Sequence, residues 1–259
     1  MLILLPPSEG KAPAGSGRPV NLDALSLPSL NPTRERVLDA LISLCRQPDQ
    51  EQARLALGLA EGQRAEIARN AGLREARTLP AERLYTGVLY EALGLTTLAE
   101  AHRRAKRSIL IFSALWGAVR IGDRLPPYRC SSNARLPGMG GLATAWRPAL
   151  AAAVAEEAGG GVVLDLRSTG YAAMWAPSGD LARRTRAVRV LHERVVNGVP
   201  TRSVVSHFNK ATKGRLVRDL LLAGAIPRTP AALVAALRDL KYTVEEPGDG
   251  RLDIVVEEI

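Results

Sequence analysis

The sequence predicts a mixed α/β fold, a single domain over residues 1–259 in which helices surround a mixed β-sheet. Three observations carry that prediction. Short, largely apolar runs at Leu2–Leu5, 108–112 and 162–166 read as buried strands, and long stretches of helical periodicity separate them. Strands and helices alternate without a strict βαβ rhythm, so a mixed sheet is favoured over a purely parallel one. No internal repeat and no low-complexity linker interrupts the chain. A chain of this length buries about three quarters of its unfolded surface and needs no disulfide or metal to fold.

The first run, Leu2–Leu5, ends in Pro6-Pro7, which cannot donate to a ladder and turns the strand into a loop rich in Pro, Gly and Ser. Residues 32–105 form a helical insertion. Asn31 or Thr33 is placed to cap a helix carrying Val37, Leu38, Leu41 and Leu44, further helices fall near 50–59 and 61–70, and two more fall within 86–105. The 108–112 strand follows, then an irregular stretch over 122–141. An alanine-rich helix over 141–158 is stopped by Gly159-Gly160-Gly161 and leads into the 162–166 strand. A short helix is predicted at 168–175. Residues 187–196 and 201–205 flank Asn197-Gly198, a type I′ hairpin signal. Amphipathic helices follow at 208–223 and 229–237, the second with Thr229 as cap and Pro230 as first helical residue. Two short strands at 242–245 and 252–256 close the chain.

Composition excludes several classes. Hydrophobic residues make up 46% and charged residues 24%, which is globular, while aromatics at 4% leave the core to Leu, Val, Ile and Ala. Cys45 and Cys130 lie far apart with no CxxC, and His102, His192 and His207 share no ligand spacing, so neither a disulfide scaffold, a dedicated metal site nor a cofactor is expected. The N-terminal apolar run of four residues is too short for a signal peptide and lacks a basic start. No run reaches a membrane span, so a cytoplasmic monomer is expected. The net charge is +9, and residues 181–220 hold ten Arg or Lys against two Asp or Glu. Such a concentrated field steers anionic partners.

Polar groups cluster just after the predicted strands, where a fold holds side chains on a rigid base. After the first strand come Glu9 and Lys11. After the second comes Trp116-Gly117-Ala118-Val119-Arg120-Ile121-Gly122-Asp123, then Pro126-Pro127-Tyr128-Arg129, where Arg129 suits bidentate recognition of carboxylate or phosphate, or a salt bridge to a nearby acid. After the third come Asp165, Arg167, Ser168 and Tyr171, with Ser168 or Thr169 placed to cap a helix whose free amides can meet an anion. After the fourth come His207, Asn209, Lys210, Lys213 and Arg215. With a helix starting near Asn209, these cations oppose the helix dipole, an arrangement an anion would relieve.

Taken in order, Pro-Pro-Ser-Glu-Gly-Lys at 6–11, Tyr-Thr-Gly-Val-Leu-Tyr at 85–90 and Leu-Trp-Gly-Ala-Val-Arg-Ile-Gly-Asp with Pro-Tyr-Arg at 115–129 are followed by Asp-Leu-Arg-Ser-Thr-Gly-Tyr at 165–171 and His-Phe-Asn-Lys-Ala-Thr-Lys-Gly at 207–214. Over its whole length the chain resembles the YaaA peroxide stress family. The resemblance implies a role in limiting iron-dependent damage under hydrogen peroxide. It also implies DNA binding through a positively charged cleft and a helix-hairpin-helix, which would fall near residues 50–70 with Gly58 or Gly62 in its turn.

Two functional readings follow. In the first, double-stranded DNA is the partner and Arg183, Arg184, Lys210, Lys213 and Arg215 meet its phosphates, with little sequence preference. In the second, the mixture of acid, amide, phenol and ammonium is a pocket for a small anionic or nucleobase-like ligand. There Glu9 or Asp165 is the general base, and Tyr171 and Asn209 hydrogen-bond the ligand. Lys11, Arg129, Arg167, Ser168, Lys210 and Lys213 complete its anion-binding set.

Overall fold

A computed structural model describes residues 1–259 except 14, 197, 198, 258 and 259. The first strand, β1 (Leu2–Leu5), is apolar at every position because both faces are covered, and all four side chains are at most 2% exposed. Each contributes about 1.5–3 kcal/mol through burial. The chain then enters the expected helical insertion: α1 (Asn31–Arg46), α2 (Gln50–Leu57), α3 (Ala65–Ala71), a short β2 (Leu79–Pro80), α4 (Ala81–Leu84), α5 (Val88–Leu93) and α6 (His102–Ser108). It returns as β3 (Ile109–Ser113), parallel to β1.

The expected cap of α1 is displaced. Asn31 is its first helical residue, and its side chain instead bonds the Leu22 carbonyl and the Arg34 guanidinium. Thr33 lies inside the helix and is buried. The predicted hairpin of helices is present as α2 and α3, joined through Gly58 in the left-handed region (φ 64°) and a 3-10 turn at Glu61–Gln63.

After β3 come two elements that sequence periodicity does not reveal. β4 (Gly117–Val119) folds back antiparallel on β3, and β5 (Arg124–Leu125) pairs with β2. Then follow α7 (Leu142–Ala158), β6 (Val163–Asp165), α8 (Thr169–Ala172), α9 (Gly179–Arg184), β7 (Thr185–Val196), β8 (Val199–Ser203), α10 (Ser206–Leu222), α11 (Pro230–Asp239), β9 (Thr243–Glu245) and β10 (Arg251–Glu257). Thr229 caps α11 as predicted, accepting from the Ala232 amide at 3.2 Å. The Asn197-Gly198 turn lies outside the described residues; the strands beside it pair antiparallel with Val196 opposite Val199.

The sheet is mixed, in the order β4-β3-β1-β6-β7-β10-β9, with β8 on β7. Its five inner strands are parallel, and β4, β8 and β9 run against them. Among the described residues no helix is long and apolar enough to cross a membrane.

Candidate functional site

The strand order fixes where a cleft must open. From β1 the chain leaves toward β3; from the adjacent β6 it leaves toward β7. Loops that part in opposite directions from neighbouring parallel strands leave a crevice at the carboxyl edge of the sheet. The loops there are residues 6–11 and 166–171. Two cavities of about 370 and 460 Å3 open between them, and Glu9, Ser168 and Tyr171 line both. The first continues along Pro6, Pro7, Val88, Leu89 and Tyr90 to Lys210. The second continues past Arg129, Ser131, Ser132 and Asn133 to Gly58 at the turn of the α2–α3 hairpin.

Several bonds hold the first loop in place. The Tyr90 hydroxyl donates to the Pro6 carbonyl at 2.6 Å, and the Thr86 amide donates to Ser8 Oγ at 3.0 Å. Lys11 pairs with Tyr85 through a backbone bridge. Its ammonium lies 4.2 Å from the Tyr128 ring centre and donates to the Ser8 carbonyl at 2.9 Å. Burial, reinforced by the Arg129 guanidinium, lowers the Lys11 pKa to about 8. Glu9 forms an ion pair with Arg129. The Arg129 backbone is clamped by fully buried Asn70, which accepts from its amide at 3.0 Å and donates to its carbonyl at 2.7 Å.

The second loop begins with a closed pair. Asp165 accepts from Arg167 Nε at 2.9 Å and Nη2 at 2.6 Å, and Arg167 also donates to the carbonyls of Tyr171 and Trp175. The guanidinium sits 4.3 Å from the Phe112 ring centre, and both residues are buried. Arg167 therefore holds the 166–175 loop together, and Asp165 has its carboxylate engaged. Ser168 stands at the N-terminus of α8, but its side chain makes no capping bond. Because α8 is a single turn, the anion-receiving helix end expected there is not built, and Ser168 lines the cavities instead. Burial raises the Tyr171 pKa, with Cys130, Tyr85 and Glu9 adding to it, so its phenol stays protonated and acts as a hydrogen-bonding group.

The fourth cluster changes most. α10 starts at Ser206, three residues before the expected start, because Val205 is still extended and ends the strand side of the connection. Lys210 and Lys213 thus lie beyond the first turn, where the dipole effect has decayed. Lys210 is exposed on the cavity rim. Lys213 donates to the Leu166 carbonyl at 3.1 Å and is a brace for the second loop; burial lowers its pKa. Asn209 Oδ1 is buried without a hydrogen-bond partner among the described residues.

The basic residues do not share one face. Arg184 donates to the carbonyls of Gly159 and Gly161, just before β6, and bonds Asp180, as Arg183 does. Both lie at the amino edge of the sheet, opposite the cleft that holds Lys210. Arg215 is exposed on α10. Cys45 and Cys130 are buried free thiols whose pKa values burial pushes up to about 11 and about 12.

Sequence reasoning did not identify Asn70, Ser131, Ser132 or Asn133. Gly170 was a signal for Ser132: a Cβ there would stand 2.4 Å from Ser132 Oγ, so a larger residue would require the serine hydroxyl to turn away from the 166–171 loop.

The fold and cleft define an α/β protein with a polar crevice at the switch point of a largely parallel sheet. A family model described as peroxide stress protein YaaA matches residues 1–247. UPF0246 proteins align along most of the chain: one from Streptomyces coelicolor is 54% identical and covers 100% of both chains, and one from Corynebacterium efficiens is 40% identical over 95% of each. A UPF0246 protein of Cereibacter sphaeroides is 33% identical, over 75% of this chain and 79% of its own. The chain belongs to the YaaA peroxide stress (UPF0246) family.

Proposed function

We propose that this protein serves the peroxide stress response by binding a small anionic ligand in the crevice between β1 and β6. The convergence of unlike groups on one switch-point cleft carries this reading: the carboxylate of Glu9, the guanidinium of Arg129, the hydroxyls of Ser168 and Tyr171, and the ammonium of Lys210. A surface that tracks phosphates needs only cations; a pocket that orients one molecule needs this mixture. Arg129 and Lys210 hold the anionic group. Glu9, which lines both cavities, is the carboxylate for proton transfer once the ligand's anionic group takes its place on Arg129, whereas Asp165 lines neither cavity and stays bonded to buried Arg167. In this reading, any limiting of iron-dependent damage is an indirect consequence of what the cleft binds.

Titration of the full chain with phosphate, small carboxylates and nucleoside monophosphates, followed by calorimetry, tests the reading. Arg129→Ala should weaken binding roughly 10- to 100-fold, the loss of about 1.5–3 kcal/mol from a charged hydrogen bond. Equal affinity in wild type and variant would overturn it.

Duplex DNA is the second reading, favoured by the net charge of +9 and by exposed Lys210 and Arg215 on α10. It predicts affinity that falls with salt and is reduced by Lys210→Ala.

A further inference from the structure

The two cavities of the crevice share Glu9, Ser168 and Tyr171 and differ in chemistry beyond them. The second continues past Arg129, Ser131, Ser132 and Asn133, side chains that all offer hydrogen bonds. The first, of about 370 Å3, is walled instead by Pro6, Pro7, Val88, Leu89 and Tyr90. Pro6 and Pro7 carry no N–H. The Tyr90 hydroxyl is spent on the Pro6 carbonyl, and the Thr86 amide on Ser8 Oγ. Val88, the first residue of α5, is half-buried on this wall. Gly87 beside it has φ 91°, and a Cβ there would meet no heavy atom within 4 Å, so the chamber is open at the start of α5. A concave apolar wall with room beside it is surface that a ligand's carbon atoms can cover.

We infer that the crevice selects amphipathic carboxylates, with the carboxylate on Arg129 and an alkyl arm along Pro6, Pro7, Val88 and Leu89. The inference rests on the crevice being a binding site for small anions, and it names the other end of the molecule. Arg129 is the one guanidinium lining either cavity among the described residues. Its planar fork matches the two oxygens of a carboxylate. Glu9, whose side chain is largely exposed, gives up its place on Arg129 to the ligand. An arm turned toward Ser131, Ser132 and Asn133 would strip water from those groups without replacing its bonds, so the arm is directed into the first cavity.

The test titrates the full chain with acetate, propionate, butyrate and pentanoate, followed by amide chemical shifts, which register weak binding. Affinity should rise roughly two- to fourfold with each added methylene, as burial of that group requires. Val88→Ser should flatten the rise, and Arg129→Ala should weaken the whole series while keeping it. Nuclear Overhauser contacts from the pentanoate methyl to Val88 and Leu89 place the arm in wild type, so the answer does not depend on either variant folding. Acetate that binds through Arg129 with no gain along the series overturns the inference and leaves the anion crevice standing. A gain whose contacts fall outside the first cavity, or that Val88→Ser leaves intact, overturns it as well. Absence of binding by every carboxylate overturns the inference, and if phosphate is not bound either, the crevice reading falls with it.

Discussion

Asp165 and Arg167 show what a residue pair looks like when its role is structural. Each polar atom of the guanidinium that could seek an anion already has a carboxylate or carbonyl partner, and Phe112 and Trp175 close over it. Asp165→Ala leaves that buried charge unpaired and should cost about 3–5 kcal/mol in urea unfolding. Lys11 behaves in the opposite way. Its folded pKa of about 8 lies below the ordinary lysine value of 10.5, so between those values the unfolded chain binds more protons. Stability from this group therefore rises with pH across that window. The unfolding free energy of wild type relative to Lys11→Gln should shift in favour of wild type from pH 8 to pH 10. Sequence alone placed both Arg167 and Arg129 among anion-binding groups because each follows a strand. Burial against rings far along the chain separates the two roles, and no local pattern carries that information.

Among the elements, the contact of α10 with α5 does most to place the cleft's wall. Gly214 lies where a Cβ would stand 2.2 Å from the Leu89 carbonyl oxygen and 2.9 Å from Ala92 Cβ. Backbone cannot retreat as a side chain can, so Gly214→Ala must push α10 away from α5. It should cost about 1–3 kcal/mol or more by overpacking and should also weaken ligand binding, since Lys210 rides on the same helix. Thermal unfolding and calorimetry on the one variant check both. The long elements were legible: β1 has its expected bounds, and the alanine-rich helix is α7, Leu142–Ala158. Apolar runs and glycine stops are local signals. β4, β2 and β5 were not, since two or three residues carry no period and their pairing is decided by tertiary context. The start of α10 was misplaced for a related reason. Val205, which precedes it, makes no side-chain capping bond to mark it, and the basic residues that follow look the same on either side of a helix start.

For the whole molecule, charge and topology point in different directions. The basic stretch over 181–220 suggested one continuous anionic partner. The fold divides it, putting Arg183 and Arg184 at the amino edge of the parallel strands and Lys210 at the carboxyl edge. Arg189 is paired with Asp253, and Arg202 with Glu193 and Glu245. With Lys210 and Arg215 as exposed cations that enter no ion pair among the described residues, α10 offers duplex DNA about two phosphate contacts, a salt dependence of roughly −2 in log affinity against log salt. A much steeper slope in a filter-binding series would favour DNA as the partner. The crevice itself was legible only as four clusters after strands. That β1 and β6 are neighbours whose loops diverge depends on strand order, which the sequence does not display.

The most direct measurement is calorimetric titration of a small-anion panel against wild type, Arg129→Ala and Arg183→Ala. Arg129 is in the cleft, and Arg183 is at the opposite edge of the same sheet. Binding that is lost in Arg129→Ala and unchanged in Arg183→Ala is the predicted result. Binding that survives Arg129→Ala and falls with Arg183→Ala would contradict the account and move the site to the other end of the molecule.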